Sequence, residues 1–253
     1  MPSEQLLSLV FEKVQKPREP ILRDLAMALP KLKEIKVVTT DCYGTLIDWE
    51  KGIGDAFKKE ADRDGLTLDL PALLGRFFEA QAQIMSGSYE LYAEVLRRAA
   101  VNVAEEIDWM IEPSRAQFLP DSVASWPPFR ESNAAMERIK DRYEIGIISN
   151  IDDKLLGISR RHLRTELDLV VTAQQVRSYK PDETHFRECA RRLGGKQGWV
   201  HIGSGYDADV APCLKRKVPV IWVNRHGEKL DGRKPPDATV KNLREAAAKL
   251  GAK

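Results

Sequence analysis

Hydrophobic and polar positions change period along this chain, and the changes divide it. Ile35-Lys36-Val37-Val38-Thr39-Thr40 is β-branched at every position but the lysine and predicts a central strand. Asp41-Cys42-Tyr43-Gly44-Thr45 follows at once, where Gly44 and Thr45 predict a tight bend with N–H groups and a hydroxyl facing a ligand. From about Gly52 to Ile111 the period becomes helical. Leu91, Val95, Leu96, Ala99 and Val103 fall on one face, and no β-rich run interrupts. Trp126-Pro127-Pro128 marks the return to mixed structure. Beyond it, strand-like and helix-like runs alternate: Ile145–Ser149 then Lys154–Arg164, Leu169–Thr172 then Glu183–Leu193, Trp199–Ile202 then Asp209–Lys215, Val218–Val223 then Val240–Leu250. Such alternation predicts an α/β fold, a doubly wound parallel sheet covered by helices on both faces. The all-helical block inserted after the first strand is expected to cap the carboxyl edge of that sheet.

The predicted division is an N-terminal helical extension (1–34), a core assembled from 35–51 and 128–253, and a helical cap (52–127). The extension reads as one or two amphipathic helices broken at Pro17 and Pro20, with Leu6, Leu7, Val10 and Phe11 at helical spacing and no chemistry of its own. A chain of 253 residues has enough length for a sizeable core. Its net charge is only +2, and the basic clusters Arg160-Arg161-His162 and Lys215-Arg216-Lys217 lie in separate segments without interleaved aromatics. Nucleic acid is therefore not an expected partner. Cys42, Cys189 and Cys213 form no C-x-x-C pair and leave one thiol unmatched, which suits a reducing cytoplasm. Met1-Pro2-Ser3-Glu4-Gln5 lacks a basic leader, and no apolar run reaches membrane-spanning length. The expectation is a soluble cytoplasmic protein acting on a small molecule, without a membrane partner.

Ligands of open α/β sheets bind beyond the carboxyl ends of the strands. Asp41 sits at such an end and is the candidate nucleophile. Three other polar points take the same position. Ser149-Asn150 closes Ile145-Gly146-Ile147-Ile148. Lys180 stands before Pro181, a residue suited to start a helix. His201-Ile202-Gly203-Ser204-Gly205-Tyr206-Asp207-Ala208-Asp209 ends a strand in a small-residue loop with two carboxylates, of which Asp207 is also readable as a helix-start residue. Ser149 and Asn150 are equally suited to cap the following helix. Tyr43 reads evenly as cavity wall or core packing. Phe77, Phe78, Tyr89 and Tyr92 read as cap core, and the four histidines show no ligand spacing.

In their order and placement these four motifs resemble those of the haloacid dehalogenase superfamily, over roughly residues 35–250. The resemblance implies a Rossmann-like core, with Asp41 forming a covalent aspartyl intermediate, Thr45 and Ser149 binding the substrate's anionic end, Lys180 paired with Asp41, and Asp209 assisting hydrolysis. Phosphatases of the superfamily carry a second aspartate two residues after the nucleophile, which acts as general acid and binds Mg²⁺; here that residue is Tyr43. Ser204 and Gly205 stand where they tend to place an acidic metal ligand. Asp-x-Tyr-Gly-Thr, with Leu46-Ile47-Asp48, Ser149-Asn150 and Trp222-Val223-Asn224-Arg225, is instead similar to the type II 2-haloacid dehalogenases. That likeness implies hydrolysis of a short 2-halocarboxylic acid without metal or other cofactor, substrate contacts from Tyr43, Thr45, Ser149, Asn150 and Ser204, and a possible homodimer. Three features depart from it: no halide-binding arginine aligns in the cap (Arg76 is nearest), Phe186 replaces a tyrosine, and Gly205 stands in place of an asparagine.

Overall fold

A computed structural model describes residues 29–252 of the chain; the helices expected over 1–28 lie outside the described residues. Six strands, β1 (Val37–Thr40), β2 (Glu144–Ser149), β3 (Leu169–Thr172), β4 (Trp199–Gly203), β5 (Val220–Val223) and β6 (Ala238–Val240), form one sheet in the order β3-β2-β1-β4-β5-β6. Every neighbouring pair is parallel. β1, β4 and β5 are buried at each residue, as strands covered on both faces must be. Alternate side chains feed two cores: Val38, Ile147, Ile202 and Ile221 pack on one face, and Ile148, Val171, Trp199 and Trp222 on the other. The order reverses at β1, which sends the chain to β2 on one side while β4 lies on the other. Crevices of open α/β sheets form at such a reversal, beyond the carboxyl ends.

Between β1 and β2 lie the cap helices α1 (Trp49–Arg63), α2 (Leu70–Met85), α3 (Tyr92–Glu106) and the short α4 (Phe118–Ser122), then the core helix α5 (Ser132–Lys140). Phe57 joins the cap helices, meeting Phe77 edge-on at 5.8 Å and Phe118 at 5.3 Å. Local caps start two of the helices: Asp48 Oδ1 accepts from Lys51 N at 3.1 Å and Asp69 Oδ1 from Ala72 N at 3.2 Å. The start of α3 differs from the predicted stripe. Leu91 precedes the helix and is 47% exposed, while Tyr92 takes its place in the core. Asp152, from the loop after β2, accepts from Tyr92 N and Ala93 N, both at 2.8 Å. A core carboxylate thus caps a cap-domain helix, which no local pattern encodes.

The second half follows the alternation with α6 (Asp153–Ser159), α7 (Ala173–Val176), α8 (Thr184–Arg192), α9 (Ala211–Arg216) and α10 (Leu243–Lys249). The expected C-terminal helix from Val240 is in fact β6 followed by α10: three strand residues are too few to show alternation, and Asn242 Oδ1, accepting from Glu245 N at 3.0 Å, starts the helix later. Pro181 does not open α8; a turn intervenes, with Asp182 Oδ1 accepting from Thr184 N at 2.7 Å. Ahead of α9, residues Tyr206–Val210 make one wide π turn. Among the described residues no helix is long and apolar enough to cross a membrane.

Candidate active site

Register brings the motifs together. Thr40 pairs with Ile147 of β2 and Ile202 of β4, so Asp41, Ser149 and Ser204 emerge side by side at one sheet edge. Asp41 N still donates to Ile202 O at 2.8 Å, holding the nucleophile candidate to the last rung of the ladder. The bend beyond it needs Gly44, whose φ is +89°, a region that L side chains rarely enter. Its amides are used differently from the expectation: Gly44 N donates to Ile47 O, and Leu46 and Ile47 N to Cys42 O. Those three N–H groups shape the turn rather than facing a ligand. Cys42 points into the core, fully buried, where burial pushes its thiol well up.

Lys180 is the centre of the site. Its Nζ donates to Asp41 Oδ1 at 2.8 Å, to Asp209 Oδ1 at 2.6 Å and to Ile148 O at 3.0 Å, with only 2% of the side chain exposed. Asp41 also faces two hydroxyls, Thr45 Oγ1 at 3.2 Å from Oδ2 and Ser149 Oγ at 3.4 Å from Oδ1. Thr45 is fully buried and receives Ser204 N at 3.0 Å, which ties the turn after Asp41 to the β4 loop. Burial raises the Asp41 carboxyl above the usual range; Lys180 opposes this and the charge of Asp209 adds to it. Burial acts on Asp209 too, but Lys180, and a hydrogen bond from His201, pull it down to about 2. The two carboxylates are held near one ammonium, and the Lys180 charge is strengthened in turn. The wide turn before α9 puts Asp209 there, and Gly203 must be glycine because a Cβ would lie 2.4 Å from the Asp209 side chain. Asp207 is exposed on the opposite side of that turn.

The site opens into a cavity of about 260 Å³. Asp41, Tyr43, Ser149, Asn150, Lys180, Ser204 and Asp209 all line it, while Thr45 lies behind them. Tyr43 fills both readings: it lines the cavity, donates or accepts at Ser159 Oγ (2.7 Å), and meets Trp126 edge-on at 5.7 Å. Ser149 and Asn150 do not cap α6. Asn150 holds the lysine loop instead, with Oδ1 accepting from Lys180 N at 2.7 Å and Nδ2 donating to Lys180 O at 3.0 Å. The cap adds Trp49, Gln81, Met85 and Tyr92 to the wall, so Tyr92 belongs to the cavity as well as to the cap core. Its hydroxyl donates to Gln81 Oε1 at 2.7 Å. Sequence reading missed Gln81 and Met85, which sit on a regular helical face with no motif to mark them. Arg225 lines the rim, donates to Gly44 O (3.2 Å) and Thr45 O (2.8 Å), pairs with Glu131 at 2.8 Å and stacks on Phe129. Arg76 lies outside the cavity, donating to Glu106 O at 3.4 Å.

Residues 35–213 match the model of the haloacid dehalogenase-like hydrolase family. The chain belongs to this family. It is 24% identical over 239 residues to haloacid dehalogenase-like hydrolase domain-containing protein 3 of Danio rerio, spanning 85% of this chain and 96% of that protein. It is 25% identical over 200 residues to glyceraldehyde 3-phosphate phosphatase of Methanothermobacter thermautotrophicus, spanning 75% and 86%. A crystal structure of a defluorinating L-2-haloacid dehalogenase superposes with a TM-score of 0.75 at 21% identity, covering 86% of this chain and 95% of that one. The cap inserted after β1 and the six-stranded parallel sheet are thus the architecture of the family.

Phosphatases of the superfamily use Mg²⁺, a cation that favours several hard oxygen ligands. Here the donor set is poor. Position 43 is a tyrosine, position 204 a serine, and the Lys180 ammonium already lies between the two buried carboxylates. Among the described residues no group of three His, Cys, Asp or Glu side chains is arranged to hold a metal. The residues present do not fit the ion.

Proposed function

We propose that this hydrolase removes halide from a short 2-halocarboxylic acid through an ester on Asp41. The observation that carries the reading is the Lys180 ammonium bridging Asp41 and Asp209, with Tyr43 where an acidic partner would serve phosphoryl transfer. A carboxylate oxygen of Asp41 attacks C2; the carbon–halogen bond breaks and halide leaves with the bonding pair. Water then adds to Cγ of Asp41, giving a proton to Asp209, and the ester bond to substrate oxygen breaks. The released alkoxide takes up that proton as the 2-hydroxy acid departs, and Asp41, left as its acid, loses a proton to solvent. The substrate carboxylate lies against the Ser149 and Ser204 hydroxyls. Gln81, its Oε1 already satisfied by Tyr92, offers amide N–H groups from the cap wall to the departing halide.

The test is halide release from chloroacetate, fluoroacetate and both enantiomers of 2-chloropropionate, with EDTA present, in wild type and Asp41→Asn. Turnover that survives EDTA and is absent from the variant supports the reading. Absence of halide from all of them, together with Mg²⁺-dependent phosphate release from glyceraldehyde 3-phosphate, would replace it with a phosphatase.

A further inference from the structure

Behind Asp209 the core holds a polar chain that the reaction above does not use. His201 on β4 is fully buried, its Nε2 3.4 Å from Asp209 Oδ1 and its Nδ1 2.8 Å from Thr39 Oγ1. Thr39 is itself fully buried on β1 and receives the indole N–H of Trp199 at 2.8 Å. The direction of the chain is set at its carboxylate end, where ionised Asp209 Oδ1 can only accept. An indole nitrogen only donates, so the Thr39 oxygen accepts from Trp199 and keeps its own proton to give. Its acceptor is His201 Nδ1. The imidazole then carries its proton on Nε2, pointing at Asp209. The reverse tautomer would turn the Nε2 lone pair toward the buried Asp209 carboxylate. Phe186 meets the ring at 5.1 Å and 89°, which keeps the imidazole from swinging.

We infer that His201 is a positioning residue for Asp209, with Nε2–H donating to the carboxylate and Thr39 Oγ1 donating to Nδ1. It shares Asp209 Oδ1 with Lys180, while Gly205 N holds Oδ2 at 3.1 Å, so the carboxylate plane is set from three sides. This rests on the proposed reaction, in which Asp209 receives the proton of the hydrolytic water. Attack by Asp41 does not need the orientation of Asp209; hydrolysis of the ester does. The effect of His201 therefore falls on the second half-reaction. Phe186, where the resembling dehalogenases have a tyrosine, buttresses the imidazole with an apolar ring.

Two measurements test this. Long-range ¹H–¹⁵N spectra of the resting protein, with no substrate, are expected to show His201 protonated on Nε2; a ring protonated on Nδ1 overturns the inference whatever the substrate proves to be. Rapid-quench kinetics with chloroacetate then separate the two half-reactions in His201→Leu. Ester formation is expected within about threefold of wild type while ester hydrolysis slows roughly tenfold, the size of one hydrogen bond to a charged group. The Asp41 ester then accumulates as a mass increase on the peptide containing Asp41. His201→Gln, whose amide N–H reaches the Nε2 position, restores hydrolysis, and Thr39→Val slows it in the same sense but less. If His201→Leu does not fold, the Thr39→Val and His201→Gln pair decides. Equal slowing of both half-reactions, or a glutamine variant no better than leucine, overturns the inference. A wild-type enzyme that forms no ester overturns the proposed reaction instead, and the tautomer still decides the wiring.

Discussion

Lys180 is the residue on which stability turns and, in the proposed reaction, the chemistry as well. Its ammonium is buried with two carboxylates, so replacing it leaves two like charges without a counter-charge. Lys180→Met is expected to cost about 3–5 kcal/mol in urea denaturation, the usual penalty for breaking one side of a buried pair. Asp41 has the opposite character. Burial, reinforced by Asp209, holds its carboxyl above the ordinary range even with Lys180 beside it. The ionised form is thus the less favoured one in the folded state: its penalty is present at neutral pH and disappears as pH falls through the raised folded value. Asp41→Asn is expected to abolish turnover while leaving the melting temperature unchanged or higher. The wild-type rate should fall on the acid side at a pH above the usual carboxylate range, as the proposed nucleophile Asp41 takes up its proton. An acid limb at or below pH 3.8, the ordinary aspartate value, would contradict that assignment. Asp41, Lys180 and Asp209 were all legible in the sequence because each is placed by its own strand end or turn. Gln81 and Tyr92 were not, because they stand 11 positions apart on two helices and meet only when those pack.

At the scale of elements, the junction between core and cap is carried by Asp152, whose carboxylate supplies the first two amides of α3, Tyr92 N and Ala93 N, with an acceptor. Tyr179, next to Lys180, adds a hydroxyl donated to Glu90 O at 2.8 Å just ahead of the same helix. The loops that carry Ser149 and Lys180 therefore also grip the cap. Asp152→Ala is expected to cost about 1–2 kcal/mol as a lost N-cap. Hydrogen exchange should show the loss in the first turn of α3, and KM should rise as the cap wall loosens. Unchanged protection there would mean that the cap is seated by its apolar contacts alone. The helical period announced α3 correctly but placed its start at Leu91, since the capping group comes from 60 residues away. The wide turn at Tyr206–Val210 was equally hidden: it looks like the first turn of α9, and only the close approach of Asp209 to Gly203 shows why the extra residue is accommodated.

For the whole molecule, net charge is nearly balanced, so the field at the cavity mouth is set by a few side chains. Glu50 and Glu228 line the rim, Glu50 3.4 Å from His226 and Glu228 3.8 Å from Arg233. These carboxylates oppose the approach of an anion. Glu228→Gln is expected to raise kcat/KM for a halocarboxylate at low ionic strength by less than about tenfold, with the gain fading as salt shortens the Debye length to about 8 Å. A gain that persists in high salt would point to a contact rather than a field. By itself the sequence determined the period of each segment, the parallel α/β core with a helical insertion, and the residues at the ends of β1, β2 and β4, because strand burial and turn chemistry are local and repeat in register. The tertiary structure alone decided which cap side chains wall the cavity, that Asn150 holds the lysine loop, and that His201 faces Asp209. Those outcomes depend on packing between segments far apart in the chain, where distance and hydrogen-bond direction, not residue type, choose the partner.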